Sequence, residues 1–181
     1  INTILDYSLY WIMSISDYYD TFGDADFVKS VWPRVKTLMD YCRASVNADG
    51  FIIGQPNDWV FVDWADMDKG GAMSAEQMLF IKALDAAARC AEIAGEDGTQ
   101  YASEAAAVRE KLDKFFFDEE KGCYIDCYET GLRNVTRHAN TFAILFNHDF
   151  GTGAALVIEV PAVGGEAVGT VHAPVAEHIV R

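Results

Sequence analysis

The sequence predicts an all-α fold of antiparallel αα-hairpins, and three observations point to it. Apolar residues recur at i, i+3 and i+4 along several long segments, short Gly-bearing connections separate those segments, and non-helical composition is confined to the last thirty residues. In the first segment Ile4, Ser8, Trp11, Ile12, Ile15, Tyr18, Tyr19 and Phe22 form the stripe, and Gly23 ends it. Asp24 stands where it can cap the next helix, whose stripe runs through Val28, Val31, Trp32, Val35, Leu38, Met39, Cys42 and Val46. A Gly-Asp turn leaves the second helix no course but to fold back on the first, and Asp49-Gly50 closes the unit.

A second hairpin follows. Ser74 with Gln77 reads as a capping box, opening a helix in which Met78, Ile81, Leu84, Ala88 and Ala91 share one face until Gly95. Gly98-Thr99 restarts the pattern with Tyr101, Ala105, Val108, Leu112, Phe115 and Phe116. Residues 118–122 read as a turn, 124–126 as a short extended piece and 138–148 as another helix. Hairpins that each need neighbours to bury their stripes imply a helical toroid or solenoid. From Gly151 the chain is Gly-, Ala- and Val-rich, and 155–160, 163–165 and 168–171 read as short strands or irregular chain, either a β appendage or a segment foreign to the domain.

The 181 residues are 51% hydrophobic and 13% aromatic, enough for one compact domain with a sizeable core. Against 14 Lys and Arg stand 28 Asp and Glu, a formal charge of -14 that repels nucleic acid and acidic membranes and suits a neutral ligand. No window approaches the roughly 18 apolar residues of a membrane span, and the first residues lack the charged-then-apolar order of a secretion signal. Residue 1 is Ile, which fits an internal piece of a longer chain whose export signal, and hence its compartment, would be set upstream. Cys42 and Cys90 fall within helical patterns and read as reduced thiols; Cys123 and Cys127 read as structural thiols, with no second Cys or His pair to complete a zinc site. No metal or cofactor is expected.

Chemistry concentrates between the two hairpins. Gln55-Pro56-Asn57-Asp58-Trp59-Val60-Phe61-Val62-Asp63-Trp64 places two tryptophans, two carboxylates and two amides in one loop. A flat indole stacks on the C–H face of a pyranose while a neighbouring carboxylate accepts from sugar hydroxyls, and loops on rigid scaffolds carry such residues. The competing interpretation makes Trp59 and Trp64 gap-fillers between helices and Asp58 and Asp63 helix caps.

Asp6-Tyr7-Ser8-Leu9-Tyr10-Trp11, then Asp17-Tyr18-Tyr19-Asp20-Thr21-Phe22-Gly23-Asp24, Asp49-Gly50-Phe51, the Trp59–Trp64 run and His138-Ala139-Asn140 together resemble, in order and spacing, the catalytic domain of α-L-rhamnosidases of glycoside hydrolase family 78. The likeness covers about residues 1–150, and Phe61-Val62-Asp63-Trp64 is its sharpest part. It implies an (α/α)6 barrel, here partial, over 1–150, with 151–181 a tail of uncertain origin. It also implies inverting hydrolysis of a terminal rhamnoside, with two carboxyls roughly 6.5–9.5 Å apart, one an acid and one activating water. The family's acid, a Glu in an Asp-Glu-Arg-like motif, would precede this region, and its base, a Glu in a Trp-Glu-like element, would follow it. Glu159, Glu166 and Glu177 stand in unlike surroundings, so the catalytic residues are unassigned and the chain alone is expected to be inactive.

The resemblance assigns Trp64 as an apolar wall and Asp63 as a hydroxyl acceptor or orienter of the loop. Tyr7 or Trp11 would supply a second wall, although Trp11 also falls on the apolar stripe and reads first as core. Asp58 and Trp59 would be rim contacts, and His138 either a ligand contact or a helix-start residue bonded to backbone. Besides the partial hydrolase, the sequence allows a helical carbohydrate-binding module, a structural interaction domain, or a complete enzyme using Asp58 and Asp63. A piece of a ring leaves apolar faces uncovered, so self-association is expected.

Overall fold

The computed structural model of the chain describes residues 3–146 and, for the backbone, the strand segments 157–160 and 168–172. Five helices lie among the described residues: α1 (Leu5–Phe22), α2 (Ala25–Arg43), α3 (Ser74–Ala94), α4 (Thr99–Phe116) and α5 (Arg137–Leu145). β1 (Phe117–Asp118) pairs antiparallel with β2 (Cys123–Tyr124), so the expected turn at 118–122 is the tip of a small hairpin. β3 (Val157–Val160) pairs antiparallel with β4 (Val168–His172), where the sequence suggested strands; the suggested piece at 163–165 and the end of the 138–148 helix lie outside the described residues.

Each hairpin is set by the predicted punctuation. Gly23 ends α1 at φ +67°, and the Asp24 carboxylate accepts from Phe27 N at 2.9 Å to cap α2. Gly95 ends α3 at φ +82°, and at Gly98 a Cβ would lie 2.4 Å from the Ala88 carbonyl oxygen, so only glycine lets the chain turn this close to α3. Full burial of Leu9, Ile12, Val35, Leu84 and Leu112 fastens the helices together, each side chain worth about 1.5–3 kcal/mol.

The structure corrects four local readings. On α1 the buried face is Leu5, Asp6, Leu9, Ile12, Ile15 and Ser16, so the stripe is turned from the expected one and Trp11 and Phe22 are exposed. Two neighbouring rows of α1 are both rich in large apolar residues, and the inner row reads as less apolar because it contains Asp6 and Ser16. α2 stops at Arg43, and Val46 instead forms an antiparallel bridge to Ile52. α3 is buried nearly all round, against α1, α2, α4 and α5, because Ala75, Ala83, Ala86, Ala87, Cys90 and Ala91 let neighbours approach from every side.

The capping box at Ser74 and Gln77 does not form either. Met73 is the cap residue and no side chain caps the helix. Ser74 Oγ donates to the Ile125 carbonyl at 2.6 Å, while Gln77 accepts from Ile52 N at 2.9 Å and donates to Ile52 O at 2.9 Å. Loop backbone buried against the start of α3 has no water to bond, so it claims these side chains. Asn140 repeats the device on α5, accepting from Tyr124 N at 2.9 Å and donating to Tyr124 O at 3.0 Å.

Candidate functional site

The 45–73 loop is laid across the start of α1. Trp59 N donates to Thr3 O at 2.8 Å and Leu5 N to Trp59 O at 3.2 Å, an isolated parallel bridge. At the next residue, in the first turn of α1, the buried Asp6 carboxylate accepts from Phe61 N at 2.9 Å and Val62 N at 3.1 Å. Lys69 closes the loop from the other side, its Nζ donating to Phe61 O at 2.7 Å and Asp63 O at 3.1 Å. Between these clamps Val62 sits at φ +50°. For a β-branched residue this left-handed conformation is strained, by about 1–3 kcal/mol.

The turn carries the residues singled out by sequence. Trp64 is 81% exposed, with its ring centroid 4.9 Å from that of Phe61 and 5.8 Å from that of Trp59. Tyr7 meets the edge of Phe61 at 6.5 Å, and Trp11 follows it at i+4 on the exposed side of α1. The result is an open aromatic surface of Tyr7, Trp59, Phe61 and Trp64.

Asp63 sits beside this surface and links it to α5. Its Oδ1 accepts from Trp64 N at 2.6 Å, and its Oδ2 lies 2.7 Å from His138 Nε2 at the start of α5. The backbone bond from Trp64, then the contact with His138, hold its carboxyl below the usual aspartate value. Residues 75 positions apart thus form one polar junction. Asp58 does other work: it is half-buried, accepts from Gln55 N at 2.8 Å and accepts a hydrogen bond from the Tyr41 hydroxyl, stapling the loop to α2. Asp58 and Asp63 therefore each have their own separate partners.

Behind Asp6 lies a group that the sequence reading passed over. Glu76 on α3 is 1% exposed, and neither carboxyl oxygen has a hydrogen-bond partner among the described residues. Burial first, then the Asp6 charge, push its carboxyl well above the usual value, and both carboxyls push the half-buried Tyr10 hydroxyl upward after its own burial. Asp6 entered the sequence reading only as a member of the 6–11 motif, and Glu76 and Lys69 carried no signal at helical spacing. Burial pushes the Cys42 thiol up to about 12, which makes it a packing residue rather than a nucleophile. No cluster of three or more His, Cys, Asp or Glu suited to a metal ion exists among the described residues.

Paired helices around a buried central helix, with aromatic and acidic side chains gathered on the 45–73 loop, form a helical-hairpin architecture, and solved structures place it among glycosidases. The chain matches the GH78 family rhamnosidase of Bacillus sp. GL1 with TM-score 0.74 and 25% identity, over 83% of this chain and 16% of that one. It matches a rhamnosidase from Klebsiella oxytoca, solved with rhamnose bound, with TM-score 0.69 and 22% identity, over 83% of this chain and 28% of that one. The chain belongs to the bacterial alpha-L-rhamnosidase six-hairpin glycosidase domain family, whose model matches residues 2–149. No curated protein matches it. The chain thus spans less than a third of the length of either structural relative.

Proposed function

We propose that this chain supplies part of the sugar pocket of an α-L-rhamnosidase-like glycoside hydrolase and that segments outside it bring the general acid and base. Residues 1–150 are then part of an (α/α)6 barrel, followed by a tail at 151–181. The observation that carries the reading is the junction of Asp63 with His138 beside the exposed Trp64, in a chain of this family. Trp64 serves as the apolar wall for the C–H face of a terminal rhamnoside, with Tyr7 or Trp11 as a second wall and Trp59 at the rim. Asp63, ionised and oriented by His138, accepts from sugar hydroxyls, and Asp58 shapes the loop from behind. Neither aspartate acts as acid or base, since each is committed to partners that hold the loop.

The test uses aryl α-L-rhamnoside with the 181-residue chain and with the longer parent protein. Turnover is expected only from the longer protein, with Trp64→Ala and Asp63→Ala each raising KM about tenfold or more. Turnover by the short chain that vanishes in Asp63→Ala would overturn the assignment of acid and base. Sugar binding by a parent protein that turns over no glycoside would instead favour a carbohydrate-binding module.

A further inference from the structure

The turn at 61–64 is held by more bonds than its chain path requires. Val62 occupies φ +50° without being glycine, asparagine or aspartate; Asp63 N donates across it to Phe61 O at 2.5 Å, and this one local bond leaves the strain to be met with help from outside the turn. Two side chains from outside it supply that help. Asp6, fully buried in the first turn of α1, spends both oxygens on the consecutive amides of Phe61 and Val62. Lys69 binds the carbonyls of Phe61 and Asp63, bracketing Val62, and its ammonium lies 5.5 Å from the Phe61 ring centroid. Amides are met by a carboxylate inside and carbonyls by an ammonium outside, so the peptide units from 61 to 63 are gripped from both sides.

We propose that Asp6 and Lys69 are positioning residues that hold the strained 61–64 turn, presenting Asp63 and Trp64 to a sugar in a shape set before the sugar arrives. The proposal rests on the sugar-pocket reading and adds how that pocket is made rigid. An exposed turn left free would have to be ordered by each ligand, which weakens binding; a turn ordered by the fold avoids that loss. Asp6 is rigid because α1 is packed around it, and Lys69 is the adjustable half of the clamp.

The test is ¹⁵N relaxation of the Phe61, Val62 and Trp64 amides, together with titration by methyl α-L-rhamnoside. It compares the native chain with Lys69→Met, Lys69→Arg and Asp6→Asn. In Lys69→Met the turn amides should become mobile with the helices unchanged, and sugar affinity should fall about tenfold. Lys69→Arg, which can still donate to both carbonyls, should restore order and affinity. Lys69 is exposed, so this pair stays informative even where Asp6→Asn fails to fold. Turn amides as ordered in Lys69→Met as in the native chain overturn the proposal, whatever the sugar does. Loosening in Lys69→Met with sugar bound neither by the 181-residue chain nor by the longer parent protein upholds the clamp and overturns the sugar-pocket reading instead.

Discussion

Replacing Gln77 with leucine isolates the bonds by which α3 holds the aromatic loop. Gln77 and Ile52 are both wholly buried, and the carboxamide is placed to satisfy the Ile52 N–H and C=O together, at 2.9 Å each. Leucine fills a similar volume, so the cavity contribution is small and the loss is that of the bonds. Each backbone group left unsatisfied in the core costs about 1–3 kcal/mol, and two together about 2–6 kcal/mol. Against a domain stability of roughly 5–15 kcal/mol this is a large share. For a chain of this size the melting temperature should fall by about 4–24 °C. Far-UV circular dichroism with urea titration reads the change at equilibrium, and tryptophan emission reports whether the loop bearing Trp59 and Trp64 loosens before the helices melt. A shift within about 0.5 kcal/mol, the range of ordinary surface substitutions, would refute the claim that this amide anchors the loop.

Three further outcomes follow from the described geometry. Glu76 has its folded carboxyl value raised above 4.5, so its favourable contribution is complete below about pH 4.5 and is lost as pH rises through the folded value; Glu76→Gln should flatten that decline in urea melts between pH 4.5 and 8. Asp63 has its folded value lowered from 3.8, so its contribution is present above that pH and lost as pH falls through the folded value; native chain and Asp63→Asn should converge in stability toward pH 2.5, and parallel curves would contradict this. Tyr7, Trp11, Phe22, Trp64, Leu132 and Leu145 expose apolar surface on a chain much shorter than its structural relatives; light scattering should show self-association at tens of micromolar, and a monodisperse monomer would speak for an independent domain.

The helices, and their ends at Gly23, Asp24 and Gly95, were legible because these rest on local rules that act over a single turn of chain. Of the proposed site residues, Asp63, Trp64 and His138 stood out as motif members, yet nothing in the spacing announced that Asp63 and His138 touch. The missed features all depend on tertiary partners. Ser74 and Gln77 satisfy the capping pattern, but buried loop backbone at Ile125 and Ile52 competes for the same atoms and wins, since a helix end can use other acceptors and a buried loop cannot. Trp11 reads as core by period, while the actual inward row includes the carboxylate Asp6, whose partners arrive from 55 and 56 residues away.

The enclosure of α3 also bears on how such a chain diversifies. A helix pressed by neighbours on nearly every side offers few positions where a changed side chain goes unfelt, and its alanines leave no room for a larger one. Inherited variation is therefore steered away from the central rod and into the segments 45–73 and 119–136, which lie between helices rather than within them. A lineage built on this plan can remodel its loop surface by editing those segments while the rod stays the same.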